Sequence, residues 1–141
     1  MIAPTRPRIV IVGGGTAGIT VAARLRRQLK HADITVIEPS DKHYYQPIWT
    51  LVGAGVFPKE VSERSEASVI PKGVEWLRDA VASFDPDRNS LATAVGRQVG
   101  YDFLVVAAGI QLNWGQIPGL KETLGRNRVG SNYSYGTVDF T

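Results

Sequence analysis

Gly13, Gly15 and Gly18, followed by a carboxylate at Glu38 twenty positions after Gly18, are the residues whose types and spacing could do chemistry. That chemistry is the holding of a dinucleotide. Gly13 can take the backbone angles of a tight strand-to-helix turn. Gly15 has no Cβ, so a pyrophosphate can approach the main chain, and Gly18 lets a helix pack closely on a sheet. Thr16 and Ala17 fall in the first helical turn, where free N–H groups and the helix dipole favour phosphate charge. Glu38 can accept hydrogen bonds from ribose hydroxyls, and its charge disfavours a 2′-phosphate.

Glycines in this pattern need particular elements around them, and the sequence supplies them. Ile9 to Val12 is a continuous apolar, β-branched run, the pattern of a strand covered on both faces. Ile19 to Lys30 reads as a helix with Ile19, Ala22, Leu25 and Leu29 on one stripe. Ile34 to Ile37 reads as the second strand and delivers Glu38, completing a βαβ unit. Beyond it, Pro39 to Lys42 is turn chemistry, and His43 to Trp49 is dense in aromatics. Tyr44, Tyr45 and Trp49 read as packing residues, and His43 as either a hydrogen-bonded structural residue or a proton carrier. Thr50 to Val56 reads as a short helix or a loop, Lys59 to Ser68 as a polar surface segment, and Ala67 to Pro71 as a short helix or turn. From Val74 the pattern turns to strands: Val74–Leu77, Asp79–Phe84, Ser90–Val95 and Val99–Tyr101 suggest an antiparallel meander, with a turn at 85–89. Phe103 to Ala107 has the character of a central parallel strand and ends at the small turn Ala107-Ala108-Gly109, the kind of place where open α/β sheets gather ligands. Gln111 to Thr141 shows no long element.

The 141 residues suffice for one modest domain. With 43% hydrophobic and 21% charged residues the composition is that of an ordinary globular protein. The net charge is only +3, and Arg24, Arg26, Arg27 and Lys30 on one helix read as a solvated face, so nothing supports nucleic-acid binding. There are no cysteines, which excludes disulfides, zinc–thiolate sites, iron–sulfur clusters and thiol catalysis by this polypeptide. Met1 to Arg8 is too short and polar for a signal or transit peptide, and no apolar run reaches the roughly 18–20 residues of a membrane span. The expected compartment is the cytoplasm or the cytoplasmic face of a membrane.

The order strand, glycine turn, helix, strand, acid, meander, strand and small-residue turn resembles the FAD domain of flavoproteins with two dinucleotide-binding domains. Within that superfamily, the segment Glu38-Pro-Ser-Asp-Lys-His-Tyr-Tyr-Gln-Pro-Ile-Trp-Thr-Leu-Val-Gly-Ala-Gly55 resembles sulfide:quinone oxidoreductase in its mitochondrial-type branch. Ala67–Trp76, Gly109–Leu112 and Gly130–Tyr133 are similar to the same family, so the resemblance covers essentially the whole chain. It implies an α/β fold: a Rossmann-like FAD-binding βαβ unit with a parallel sheet plus a small antiparallel β meander, forming an incomplete domain over residues 1–141.

The resemblance implies FAD contacts at Gly13, Gly15, Thr16, Ala17 and Gly18 around the pyrophosphate and at Glu38 on the adenosine ribose. It places Gln46 toward the flavin side, Val81 at the adenine, and Ala108 and Gly109 beside the cofactor. It implies no catalytic residue and no metal in this stretch. Members of the family oxidise sulfide with two cysteines beside the flavin and pass two electrons through FAD to a quinone at the membrane surface. The cysteines, the second dinucleotide domain and the membrane-contacting region are expected outside residues 1–141. The chain therefore reads as the N-terminal portion of a longer enzyme, peripheral to the inner (plasma) membrane in its complete form and, by itself, marginally folded and without turnover. A type II NADH:quinone oxidoreductase-like flavoenzyme and a non-catalytic nucleotide-binding fragment are the alternative readings.

Overall fold

Ile9–Val12 is apolar at every position because both faces of its strand are covered. In the computed structural model, which describes residues 6–140, β1 (Arg8–Val12) lies between β2 (Asp33–Ile37) and β9 (Phe103–Val106), parallel to both. Part of Met1–Arg8, the segment read as lacking a leader, and the final Thr141 lie outside the described residues. The chain forms two compact units, one comprising Met1–His43 and Ser65–Gly109, the other Tyr44–Arg64 and Ile110–Thr141.

The first unit is built on a four-stranded parallel sheet in the order β5-β2-β1-β9, with β5 at Glu75–Leu77. Alternate residues of β1 face opposite sides. Ile9 and Ile11 pack with Ala22, Ala32, Ile34 and Val36 on the side of helix α1 (Thr16–Gln28). Val10 and Val12 pack with Ile37, Leu91 and Tyr101 on the other side. That second layer comes from an antiparallel meander, β6 (Val81–Asp85), β7 (Ser90–Thr93) and β8 (Gln98–Gly100). The turn between β6 and β7 is stopped by Asn89 in the left-handed region, φ 48°, and Asp85 caps it by accepting from the Arg88 amide at 3.2 Å. At the other end of the sheet Arg8 donates to Asp102 at 2.7 Å through its amide and 3.0 Å through its guanidinium, tying the start of β1 to the approach to β9.

The βαβ unit and the meander stand as expected. Four expectations change. Val74–Leu77 supplies not a meander strand but the parallel neighbour of β2: Trp76 donates its indole N–H to the Glu38 carbonyl at 2.9 Å, and Val74 packs against the buried cluster on the α1 side of the sheet. β9 is not central: it ends the order of the described sheet, and Phe103 and Val106 are 62% and 59% exposed. The polar stretch Lys59–Ser68 is not purely a surface run, since Ser62 and Glu66 are buried. Arg26 also leaves the solvated face of α1. Its guanidinium donates to the carbonyls of Ala32, at 2.8 Å, and Leu29, closing the helix C-terminus.

In the second unit Tyr44, Trp49 and Tyr135 pack ring on ring, with Tyr44 and Tyr135 centroids 4.4 Å apart. Trp49, on the short helix α2 (Trp49–Gly53), donates its indole N–H to Ser62 at 2.9 Å. Lys59 pairs with Asp139, and its ammonium lies 5.2 Å from the Tyr135 ring centroid. The Tyr135 hydroxyl is pushed up to about 12, first by its hydrogen bond to Glu63 and then by burial. Tyr44 and Trp49 are thus packing residues, whereas Tyr45 is half exposed. The two short strands β3 (Lys42–Tyr44) and β4 (Glu63–Ser65) pair where the chain passes from one unit to the other and back, and α3 (Glu66–Val69) follows β4.

Gly18 makes a strong test of the first unit. A Cβ there would collide with the Gly13 carbonyl oxygen and lie 3.4 Å from Ile11 Cγ2. Gly18→Ala should destabilise the chain by about 1–3 kcal/mol or more, whereas Gly115→Ala, with open space around it, should be close to neutral. Urea denaturation of the two variants checks this.

Candidate functional site

The turn between β1 and α1 is held by the backbone of its neighbours. Gly13 has φ +102°, and its amide donates to the Ile37 carbonyl at 2.8 Å, so it is fixed to the end of β2. A Cβ on Gly13 would strike the Ala107 carbonyl, and the Ala107 amide in turn donates to the Val12 carbonyl at 2.8 Å. Gly13 and Gly18 are therefore glycines because protein fills the space beside them. Gly15 differs: its φ of −66° suits any residue, and none of the described residues comes within 4 Å of where its Cβ would be. Gly15, Thr16 and Ala17 are exposed, α1 has no side-chain cap, and its first turn holds no acid. Thirteen aligned residues follow, so the dipole end and the first-turn amides face open space.

Beside this turn, at the carboxyl ends of the strands, is a cavity of about 320 Å³. Gly13, Glu38, Val81 and Ala108 line it together, so the structure brings four of the expected site residues into one place. Val12, Asp79, Ala80 and Phe84 complete much of its wall. Gly109 follows Ala108, with φ +76° and open space where a Cβ would be. Gln46 lies in the second unit, exposed, in a single 3₁₀ turn spanning Gln46–Ile48.

Glu38 is half-buried and aimed at the turn. Its Oε2 accepts from the Gly14 amide and its Oε1 from the Ser40 amide, both at 2.8 Å. A carboxylate offers about four acceptor positions, so two remain for hydroxyl donors. Asp79 is the acid that sequence reasoning missed. The Thr93 hydroxyl, opposed by burial and helped by the Ala80 and Val95 amides, holds its carboxyl below the usual range. Asp79 is therefore an anchored wall residue. The sequence signal for it was weak, an acid one step before a matched Ala80-Val81. Glu66 and His43 also meet at this turn, and nothing in a polar run marked Glu66 as buried.

An α1 N-terminus open at a bare glycine, a carboxylate set at the next strand's tip and an adjoining cleft of mostly apolar walls fit the diphosphate, ribose and base of a dinucleotide. Residues 7–134 match the family described as pyridine nucleotide-disulphide oxidoreductase, and the chain belongs to that family.

Within the family, the resemblance to the sulfide:quinone oxidoreductases is borne out. The chain is 50% identical over 135 residues to the mitochondrial sulfide:quinone oxidoreductase of Dictyostelium discoideum, covering 95% of this chain and 30% of that protein. It is 46% identical to the mouse mitochondrial enzyme, over 94% of this chain and 30% of that one. The crystal structure of the sulfide:quinone oxidoreductase from Aquifex aeolicus superposes with a TM-score of 0.80 at 28% identity, covering 94% of this chain and 30% of the other. Type II NADH:quinone oxidoreductases are more distant. The chain spans about 30% of the length of the curated relatives it matches.

Removing the Glu38 carboxylate leaves two turn amides without their acceptor. Glu38→Ala should lower stability by about 1–3 kcal/mol, read as a lower urea midpoint with an unchanged slope.

Proposed function

We propose that this chain is the FAD-binding N-terminal portion, over residues 1–141, of a flavoprotein that oxidises sulfide and passes two electrons to a membrane quinone. The observation that carries the FAD site is the contrast among the turn glycines: Gly13 and Gly18 are closed by protein, and only Gly15, at the open start of α1, leaves room for a ligand. Gly13, Gly15, Thr16, Ala17 and Gly18 would hold the pyrophosphate, and Glu38 the adenosine ribose through its remaining lone pairs. Val81 would meet the adenine, with Ala108 and Gly109 beside the cofactor and Gln46 toward the flavin. FAD supplies the two-electron chemistry when bound, while the protein supplies orientation and charge.

Sulfide and quinone are the substrates named by the relatives. The sulfur chemistry needs thiolates, and this sequence has no cysteine, so the polypeptide alone is without turnover. No helix among the described residues is long and apolar enough to cross a membrane. A peripheral position on the inner membrane, reached from the cytoplasm, belongs to the complete enzyme, and no nucleic acid is involved.

Gly15→Ala tests the site separately from the fold. Its backbone angles and surroundings accept a methyl group, so the melting temperature should stay within about a degree or two of the parent. FAD affinity, titrated by flavin fluorescence quenching, should fall at least about tenfold as the methyl group displaces the diphosphate. Equal affinity in parent and variant would defeat the proposed site, and sulfide-dependent quinone reduction by the chain alone would defeat the statement about turnover.

A further inference from the structure

Gly14, the glycine that the nucleotide pattern leaves without a role, is closed in by side chains, where Gly13 and Gly18 are closed in first by backbone carbonyls. A Cβ there would run into Glu66 Oε1 and come within 2.7 Å of Glu38 Cγ. Two carboxyl side chains therefore press on its Cα. Its amide donates to Glu38 Oε2 at 2.8 Å, and its carbonyl accepts from His43 Nδ1 at 3.0 Å. A carbonyl oxygen can only accept, so this contact places a hydrogen on Nδ1. The same nitrogen lies 3.5 Å from Glu66 Oε2. Glu66 is 1% exposed, and its Oε1 has no hydrogen-bond partner among the described residues. A buried acid in this position is costly as an anion.

We propose that His43 and Glu66 are positioning residues for a bound diphosphate: His43 holds the Gly14 carbonyl, and Glu66 packs beside the Gly14 Cα and His43 Nδ1, so that loss of the Glu66 proton weakens binding at the amides that follow. The inference rests on the reading that this turn holds FAD. His43 fixes the direction of the Gly14 carbonyl, and Glu38 that of the amide, which together set the plane from which the chain continues into Gly15 and α1. The titratable groups that act on Glu66 are His43, from β3, and Glu38, from the end of β2. Burial first, and the Glu38 charge after it, push the Glu66 carboxyl up, with His43 opposing both. A diphosphate beside the turn adds negative charge, which favours the protonated acid further. The protonated form thus binds more tightly. The gain is fully present below the titration of the free chain and is lost as pH rises from there through the higher titration of the bound chain.

The test uses the 141-residue chain, titrated with FAD by fluorescence quenching over a pH series that brackets the Glu66 titration, itself followed by the side-chain carboxyl carbon resonance of Glu66. Wild-type affinity should fall roughly tenfold across that range, the equivalent of a one-unit shift of the acid on binding. Glu66→Gln keeps the shape and cannot ionise, so its profile should stay flat near the wild-type value at low pH. His43→Asn, which restores an N–H donor to the Gly14 carbonyl, should bind nearly as wild type, and His43→Leu should lose about tenfold. Amide resonances of Gly14 to Ala17 without FAD should move with pH in the wild type and not in Glu66→Gln. A Glu66→Gln profile parallel to wild type, or a His43→Leu affinity equal to it, overturns the positioning pair while leaving the FAD site standing. A wild-type chain that binds no FAD at any pH overturns both.

Discussion

Two short hydrogen bonds organise the first unit. Gly13 donates to the Ile37 carbonyl and Gly14 to the Glu38 carboxylate, both at 2.8 Å. They couple the glycine turn after β1 to the tip of β2, so the open start of α1 and the acid are fixed relative to one another by the sheet. The strand register from Arg8↔Asp33 to Val12↔Ile37 brings the two strand ends level. The hydrophobic layers on each face keep that register from slipping, because a shift by one residue would turn Ile9 and Ile11 to the wrong side. The placement of the candidate site is a product of sheet packing.

The turn's glycines share a sequence pattern but not a physical cause. Gly13 and Gly18 are demanded by backbone carbonyls, Gly14 by two carboxyl side chains, and Gly15 by nothing among the described residues. A residue that the fold does not require to be glycine, at the head of an uncapped helix, is where selection for a ligand is most readily separated from selection for stability. The remainder of the cleft is ordinary: alanines, a valine and a phenylalanine on the meander side, with Asp79 anchored in the wall.

Elements with long, regular patterns were legible in the sequence. β1 and β2 stand at the expected apolar runs, α1 follows its three-and-four stripe, and the meander follows its alternation and its turn at Asp85–Asn89. What escaped depends on partners distant in the chain. β5 has only three residues and no alternation of its own, and it joins the parallel sheet, where Trp76 finds the Glu38 carbonyl. β9 reads as a buried central strand from its apolar run, yet it pairs with β1 on one side only among the described residues. Glu66 looks like a surface acid in a polar stretch and is buried only because the fold carries α3 beneath the glycine turn. Of the site, the glycines, Glu38, Val81 and Ala108 could be read in advance, whereas the acids packed behind them could not.

The bond from Trp76 to the Glu38 carbonyl has an optical side. An indole whose N–H is tied to the Glu38 carbonyl sits in a polar field that would change if the Glu38 side chain gained new donors, as the proposed FAD site requires. Trp49 is buried in the second unit, bonded to Ser62, and Trp114 stands in a separate short turn. The emission of Trp76, isolated by replacing the other two, therefore makes the chain its own fluorescent gauge of occupancy, one that needs no label and no turnover.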